Sequence, residues 1–258
     1  MLKAEQLTIA FAGPPVIDRV SLEVSAEQVV GVLGHNGSGK TTLLRAAYRV
    51  LRPDSGSVLI EGRDVWRMSS MEAARAIGSV AQDQSLAHDM TIRELVSFGR
   101  FPHKQMFEPD TPADQVIIDE AISRVGLSAL AGRRLSELSG GERQRAMIAK
   151  GLAQQPRVLV LDEPTNHLDV RYQIDLLELV RQLRIAVVVT LHDLNLAAAY
   201  CDKLYVLAHG KVVAEGSVDA VLTDELIRDV FGVSARRGIN PLTGRPHIYF
   251  GQSQSCQS

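Results

Sequence analysis

Residues 34–42 read Gly34-His35-Asn36-Gly37-Ser38-Gly39-Lys40-Thr41-Thr42 and join an apolar run at 29–33 to a helical pattern at 43–47. This is the pattern G-x-x-x-x-G-K-[ST] between a strand and a helix. The glycines let the backbone turn tightly and approach a polyphosphate, and the following helix adds its positive dipole end. Lys40 supplies a charge for terminal phosphates, and the Thr41 hydroxyl can ligate Mg²⁺. The stretch therefore predicts a nucleoside triphosphate site rather than a plain glycine-rich turn.

Bulk composition limits the function classes. The chain has 258 residues, 45% of them hydrophobic and 22% charged, as in an ordinary globular protein. The net charge of −2 argues against a general nucleic-acid-binding surface, so no nucleic-acid partner is expected. The first residues lack the apolar core of a signal peptide, and the apolar runs are too short to cross a bilayer. We expect a soluble, cytoplasmic chain, and the two cysteines, Cys201 and Cys256, indicate no disulfide framework.

A second apolar run, residues 158–161, ends in Asp162-Glu163. The run is typical of a central parallel strand. Adjacent carboxylates at the tip of a buried strand are costly unless they meet cations or perform chemistry. We interpret Asp162 as part of the Mg²⁺ shell and Glu163 as the base that polarises a water for attack on the γ-phosphate. The alternative is a solvated acidic turn.

Three further residues are candidates by position. His192 follows the apolar run 186–191, and a histidine at the same sheet edge as the carboxylates is expected to face the ligand. Gln82 follows the apolar segment 77–81, where an amide can ligate a metal, orient a water or simply cap a loop. Phe11 precedes a Gly-Pro turn, and its ring either stacks on an adenine or fills the strand interior.

A serine-glycine turn lies directly before another helical pattern. The sequence Ser139-Gly140-Gly141-Glu142 leads into a helix predicted over 143–153. The free amides of a first helical turn and a serine hydroxyl form an anion-binding surface. Taken alone, this turn favours a plain N-cap over an anion-binding site.

The remaining pattern indicates the organisation of the chain. Alternation around Gly13-Pro14-Pro15 predicts antiparallel strands, helical periodicity covers 90–99 and 113–125, and 203–215 reads as a hairpin. We predict one α/β domain with a parallel sheet core, built from a nucleotide-binding core of 1–85 and 154–250. A helical subdomain of 86–153 is inserted between its halves, and the polar tail 251–258 is expected to be disordered.

The ordered set of motifs resembles the ATP-binding subunit of ABC transporters over nearly the whole chain. That resemblance implies a P-loop NTPase fold of the RecA-like type, with an N-terminal antiparallel β subdomain. The motifs that carry it are Phe11 at the A-loop, residues 34–41 at Walker A, Gln82 at the Q-loop, Leu138-Ser139-Gly140-Gly141-Glu142 at the signature, residues 158–162 at Walker B, Glu163 at the catalytic glutamate, Leu168-Asp169 at the D-loop and His192 at the switch histidine.

The departures from the family pattern are small. Phe11 stands where tyrosine is commoner, Glu142 replaces glutamine, Ala81 replaces a frequent proline, and Asn166-His167 stand in place of Ser-Ala. None of these changes removes a group that the chemistry needs.

The resemblance also implies cofactors and partners. ATP and Mg²⁺ are expected, with Glu163, His192 and Gln82 acting in catalysis and Thr41, Gln82 and Asp162 around the metal. Two copies pair head to tail, so that each ATP lies between the phosphate loop of one copy and residues 139–142 of the other, with Asp169 close by. The pair would sit on the cytoplasmic face of the membrane against permease subunits, served by an extracytoplasmic substrate-binding protein.

Three stretches narrow the resemblance further. Residues 91–103, 169–177 and 241–247 are similar to the ATPases of ferric-siderophore, haem and cobalamin importers. They imply uptake of a metal chelate, with a ferric siderophore placed ahead of haem and cobalamin. The alternative is a soluble ABC ATPase without a permease, for example one that acts in Fe–S cluster assembly.

Overall fold

The computed structural model describes residues 1–81, 90–105 and 108–251. The expectations for Gln82 and for the tail beyond Gly251 therefore lie outside the described residues. In chain order the elements are β1 (Leu2–Ala10), β2 (Pro15–Val24), β3 (Val29–Gly34), α1 (Lys40–Ala47), β4 (Ser55–Ile60), β5 (Arg63–Asp64), α2 (Ser70–Ala76), β6 (Ile77–Val80), α3 (Ile92–Ser97), α4 (Pro112–Arg124), α5 (Gly140–Ala153), β7 (Val158–Leu161), α6 (Val170–Gln182), β8 (Ala186–Thr190), α7 (Leu194–Tyr200), β9 (Lys203–Ala208), β10 (Lys211–Gly216), α8 (Val218–Val221), α9 (Asp224–Phe231), β11 (Ser234–Ile239) and β12 (Pro246–Gly251).

A six-stranded sheet forms the centre, in the order β10-β9-β3-β8-β7-β6. Its strands are parallel except for the edge strand β10, which pairs antiparallel with β9. Every residue of β3, β7 and β8 is buried, which explains why these strands read as continuous apolar runs rather than as alternating ones. The predicted α/β fold with a parallel core is confirmed.

The central sheet is covered on both faces. Alternate side chains of the same strand enter different cores, as the period of two requires. Val158 and Val160 pack in the cluster that includes the four-stranded antiparallel sheet β2-β1-β4-β5 and helix α1, whereas Leu159 and Leu161 pack against the other helices. The phosphate-loop helix α1 is thereby held between two sheets.

Helices α3, α4 and α5 lie between β6 and β7 in sequence and pack on one another. A 3₁₀ segment, Phe98–His103, joins them, and its Arg100 forms a buried ion pair with Asp114 at 2.8 Å. Arg100 also donates to the carbonyl of Ala153 at 2.7 Å, which ties the segment to the end of α5. The division of the chain into a core of 1–85 and 154–250 and an insertion of 86–153 remains a prediction.

The structure differs from the sequence expectations at three places. Helix α5 begins at Gly140 rather than at Arg143, because Ser139 caps it three residues earlier. Residues 218–231 form two short helices rather than one continuous helix, because Thr223 accepts from the amide of Leu226 and starts the second one. Strands β11 and β12 form an antiparallel hairpin that was not predicted.

None of the helices in the described residues is both long enough and apolar enough to span a membrane.

Candidate functional site

Three neighbouring strands of the central sheet end at one place. Strand β8 lies between β3 and β7, so the residues after all three carboxyl ends converge. Open parallel sheets bind ligands at such an edge. A cavity of about 620 Å³ opens there, lined by Val16, Asn36, Gly37, Gly39, Lys40, Thr41, Thr42, Glu163, Asn166, His167 and His192.

The phosphate loop depends on glycine at two positions. Gly34 has φ +149°, and a Cβ there would lie 2.3 Å from the carbonyl oxygen of Leu207. Gly39 has φ +103°, and a Cβ there would lie 2.6 Å from Cδ1 of Ile17, which packs beneath the loop. A side chain at either position would displace the loop from the strands that support it.

Lys40 is held inside the loop. The residue is only 4% exposed, and Nζ donates hydrogen bonds to the carbonyl oxygens of Gly34 at 2.8 Å and His35 at 3.0 Å. Burial lowers the pKa of Lys40, while the nearby carboxylates of Glu163 and Asp162 oppose that shift. The loop thus presents a cation at the base of the cavity.

Asp162 is the centre of a buried hydroxyl network. Its Oδ1 accepts from Thr190 Oγ1 at 2.9 Å and from Thr41 Oγ1 at 3.3 Å. Burial raises the pKa of Asp162, and the two threonine hydrogen bonds work in the opposite direction. Thr190 in turn accepts from the backbone amide of Glu163 at 2.7 Å, so one hydroxyl links β7 and β8.

Glu163 and His192 are in direct contact. His192 Nε2 lies 2.6 Å from Glu163 Oε1, and the glutamate side chain is 9% exposed against 37% for the histidine. The side-chain amide of Asn166 donates to the other carboxylate oxygen, Oε2. Glu163 has φ +52°, an uncommon backbone conformation for a residue other than glycine. Strained conformations of this kind occur often at functional sites.

The serine-glycine turn forms a complete capping box. Ser139 accepts from the amide of Glu142 at 3.3 Å, and the carboxylate of Glu142 accepts from the amide and the hydroxyl of Ser139, each at 2.8 Å. These hydrogen bonds lower the pKa of Glu142. Ser139 and Gly140 are exposed, whereas Gly141 is buried against the ring of Tyr172. Among the described residues that line the cavity, none comes from 139–142.

Other predicted site residues lie around the cavity or away from it. Phe11 is 58% exposed in the loop between β1 and β2 and is outside the cavity lining. Asp169 is exposed at the N-cap of α6. His35 is exposed, and its ring lies 5.5 Å from that of Phe231 at the end of α9.

Sequence reasoning missed two polar residues at this edge. Thr190 is buried between Asp162 and Glu163, and Asn166 contacts Glu163. The available signal for Thr190 was its being the one polar residue in the apolar run 186–191. Asn166 was noted only as a departure from the family pattern.

The residues present fit ATP and Mg²⁺. A cavity of about 620 Å³ lies within the common range for small-molecule sites, roughly 300–1,000 Å³. The hydroxyl of Ser38 is buried in the phosphate loop without a hydrogen-bond partner among the described residues, so a donor remains for an incoming acceptor. No cluster of three or more His, Cys, Asp or Glu capable of holding a metal occurs in the described ranges. Mg²⁺ commonly takes one or two protein oxygens together with phosphate, as Thr41 and Asp162 would allow.

The known proteins to which this chain is similar include ATP-binding proteins of transport systems and a solved transporter structure. The chain is 45% identical over 242 residues to the cobalamin import ATP-binding protein BtuD of Halobacterium salinarum, covering 92% of this chain but 60% of that protein. It is 38% identical to the ferric enterobactin transport ATP-binding protein FepC of Escherichia coli K12, covering 96% and 93% of the two chains. A solved metal-chelate type ABC transporter in an inward-facing conformation matches with a TM-score of 0.84 and 26% identity, covering 97% and 96%.

The family model described as ABC transporter matches residues 17–166, which include the phosphate loop, the serine-glycine turn and the carboxylate pair. With more than half of its length in that match, this chain belongs to the ABC transporter family.

Proposed function

We propose that this chain is the ATP-hydrolysing subunit of an ABC importer that takes up a metal chelate. The observation that carries the proposal is the convergence of Lys40, Glu163 and His192 on one cavity at the edge of the central sheet. The buried Asp162 is hydrogen-bonded to Thr41, which also lines that cavity. A lysine for phosphate, an oxygen pair for a divalent cation and a carboxylate for a water are the parts that phosphoryl transfer requires.

Binding would be the task of the phosphate loop. Its amides and Lys40 would neutralise the charge of the terminal phosphates, and its glycines allow the backbone to approach them. Phe11 is exposed near the end of β1, where its ring is free to stack on a base. The residues expected to contact nucleotide are Phe11, Gly34, His35, Asn36, Gly37, Ser38, Gly39, Lys40, Thr41 and Thr42.

The metal would be held by Thr41 and Asp162, with Gln82 as the third expected ligand. When bound, Mg²⁺ neutralises charge on the phosphate oxygens and orients them. Thr190 keeps the Asp162 oxygen directed at Thr41 through its own hydrogen bond. The raised pKa of Asp162 reflects the cost of burying its charge, which a cation would offset.

Hydrolysis would rest on Glu163. Its carboxylate accepts a proton from the attacking water, and His192 at 2.6 Å stabilises and orients the reacting groups. The side chain is nearly buried, so few competing waters reach it. Removing water strengthens the electrostatic interactions within such a site.

A second copy of the chain would complete each site. In the surface formed by Ser139, Gly140, Gly141 and Glu142, the capping box uses the amides of Ser139 and Glu142 and leaves those of the two glycines for a ligand. This surface does not line the cavity of its own chain. A head-to-tail pair brings this surface of one copy to the phosphates bound by the other, with Asp169 at the junction. The γ-phosphate then has donors on both sides, and ATP binding closes the pair.

Transport would follow from that closure. The cobalamin and ferric enterobactin ATP-binding relatives support a metal chelate as the cargo and an integral-membrane permease as the partner. The pair would then sit at the cytoplasmic face of the membrane, with an extracytoplasmic binding protein delivering the chelate. The chain spans about 60% of the length of the cobalamin relative, so cargo and partners are part of the proposal.

Phosphate release by the purified chain, with Mg²⁺–ATP and with EDTA added, tests the catalytic claim. Hydrolysis that EDTA abolishes supports it, and no hydrolysis at any protein concentration contradicts it.

The transport claim is tested in vesicles that contain the chain together with the permease that co-purifies with it. Ferric siderophore, haem or cobalamin with its binding protein should stimulate turnover. Turnover in a chain that never associates with a membrane partner would favour the soluble alternative.

A further inference from the structure

The loop after Glu163 is a turn closed on itself. The backbone amide of Asn166 donates to the carbonyl of Glu163 at 3.2 Å, and Pro164 occupies the second position, which proline favours in such turns. Thr165 is 6% exposed, and its carbonyl accepts from the side chain of Gln173 at 3.2 Å. Gln173 thereby connects the turn to helix α6, and the turn brings Asn166 back to the backbone of Glu163.

An asparagine at that place reaches the carboxylate. The Asn166 side-chain amide donates to Glu163 Oε2, while Oε1 faces His192 at 2.6 Å. Both Asn166 and Glu163 line the cavity. Both oxygens of the Glu163 carboxylate therefore contact a side chain, and the two side chains come from different loops.

We infer that Asn166 is a positioning residue for hydrolysis, which holds the Glu163 carboxylate in the orientation that activates water through its hydrogen bond to Oε2. The inference rests on the proposed function, because it assigns Glu163 as the base. A carboxylate has about four lone-pair sites, so two hydrogen bonds still leave room for a water. The side-chain torsions of glutamate would otherwise let the group rotate between several rotamers.

The backbone supports this assignment. Glu163 has φ +52° and its amide is fixed by Thr190 at 2.7 Å, so the start of the side chain is immobile. His192 and Asn166 then fix its end. A group held within a few tenths of an ångström reacts faster than one that samples several positions, and a misplacement of about 1 Å can cost about a hundredfold in rate.

The test compares Asn166→Ala and Asn166→Ser with wild type and with Gln173→Leu. Gln173→Leu loosens the same turn without removing a contact to Glu163. In Asn166→Ala, kcat should fall by about ten- to a hundredfold, while KM and the affinity for a non-hydrolysable ATP analogue stay within about twofold. In Gln173→Leu, kcat should stay within about twofold of wild type. Asn166→Ser, whose hydroxyl is a shorter donor, should recover part of the loss.

A readout independent of turnover is available from NMR of protein labelled at asparagine. The Asn166 side-chain amide resonances, assigned by their loss in Asn166→Ala, should move in Glu163→Gln and stay in place in Gln173→Leu. Unchanged kcat in Asn166→Ala, or equal losses in Asn166→Ala and Gln173→Leu, would overturn the inference. A wild-type chain that does not hydrolyse ATP would instead contradict the proposed function.

Discussion

The Thr190 hydroxyl donates to Asp162 Oδ1 at 2.9 Å and accepts from the amide of Glu163 at 2.7 Å, so one buried atom holds the carboxylate of Asp162 and the backbone of Glu163. Strand order explains this. Because β8 pairs with β7 and Leu161 lies opposite Val189, the last residue of β8 lies beside the two residues that follow β7. The geometry of the metal position and of the base therefore shares one support.

Replacing Thr190 by valine should disturb both the metal position at Asp162 and the position of the base Glu163. The shapes match, but the amide of Glu163 and the carboxylate of Asp162 each lose a partner in a buried place, which costs about 1–3 kcal/mol each. We expect a lower free energy of unfolding in urea and a pKa of Asp162 raised further, with weaker Mg²⁺-dependent ATP binding. Thr190→Ser keeps the hydroxyl and is the matched control. A valine variant as stable as the serine variant would show that the bridge adds nothing.

Replacing Glu163 by glutamine separates binding from turnover. The amide keeps the size of the side chain and removes the group that accepts the proton. Turnover should fall by at least about a hundredfold, the lower range for general-base catalysis. ATP affinity, measured by equilibrium dialysis, should be retained, and the pair should persist longer in ATP by light scattering.

The control for that variant is Glu27→Gln, an exposed glutamate just before β3, at the other end of that strand from the phosphate loop. Its turnover should match wild type. Near-normal hydrolysis by Glu163→Gln would remove Glu163 from the catalytic role.

Replacing Ser139 by arginine tests the two-copy site. The larger cation removes the N-cap hydroxyl and blocks the exposed helix start, while the phosphate loop is untouched. Hydrolysis should be lost although ATP still binds to Lys40 of the same chain. Mixing this variant with Lys40→Ala should restore activity, because one intact site forms from Lys40 of one copy and Ser139 of the other.

Two results would contradict that arrangement. One is full hydrolysis by Ser139→Arg alone. The other is hydrolysis by a chain that stays monomeric in ATP by sedimentation. The capping box also stabilises α5, so circular dichroism must show an intact fold, and Ser139→Asp, which keeps a good N-cap, serves as the folding control.

Much of this architecture was predictable from sequence, and the reasons are specific. The phosphate loop and the carboxylate pair are recognisable in the sequence because their geometry and chemistry allow few residue types. The strands beside them are recognisable as apolar runs. Thr190 did not stand out because its role depends on β8 pairing with β7, a strand from an earlier part of the chain. No local pattern states that pairing.

The C-terminal hairpin was missed for a related reason. Strands β11 and β12 are half exposed and irregular in burial, so neither shows the alternation that marks a strand. Contacts between β12 and α7 support this hairpin. In one of them Asn195 contacts Ile248, a residue 53 positions later in the chain, and no local pattern shows such a pairing. The roles of individual site residues remain predictions.

The ion pair of Arg100 and Asp114 gives a pH dependence with a definite sign. The hydrogen bond from the Thr111 hydroxyl and then Arg100 hold the pKa of Asp114 well below its ordinary 3.8. A carboxyl whose pKa is lowered by folding stabilises the fold above its unfolded pKa. That contribution declines as the pH falls below about 3.8 and is lost below the folded-state pKa.

Asp114→Asn should therefore cost about 3 kcal/mol near pH 7, because Arg100 stays buried without a counter-charge. The difference from wild type in urea unfolding should shrink below about pH 4. Asp119 lies on α4 with Asp114 and forms an exposed pair with Arg93 of α3, so Asp119→Asn should cost no more than about 1 kcal/mol. A loss at Asp114 that is independent of pH would contradict the electrostatic explanation.

Asn195 secures the C-terminal hairpin to the helix that follows His192. Its side chain accepts from the amide of Ile248 at 2.7 Å and donates to the carbonyl of the same residue at 3.2 Å, as a neighbouring strand would. Asn195→Ala should cost about 1–2 kcal/mol and should speed hydrogen exchange at residues 246–251 more than in the central sheet. Leu242→Ala, at the 92% exposed hairpin tip, is the control and should change neither the free energy of unfolding nor the hydrogen exchange.

The same exchange experiment tests a link to His192, because α7 begins two residues after it. Faster exchange in Asn195→Ala that also reaches residues 194–200 would indicate that the hairpin holds the loop of His192 in place. Exchange confined to the hairpin would limit its role to the stability of β11 and β12.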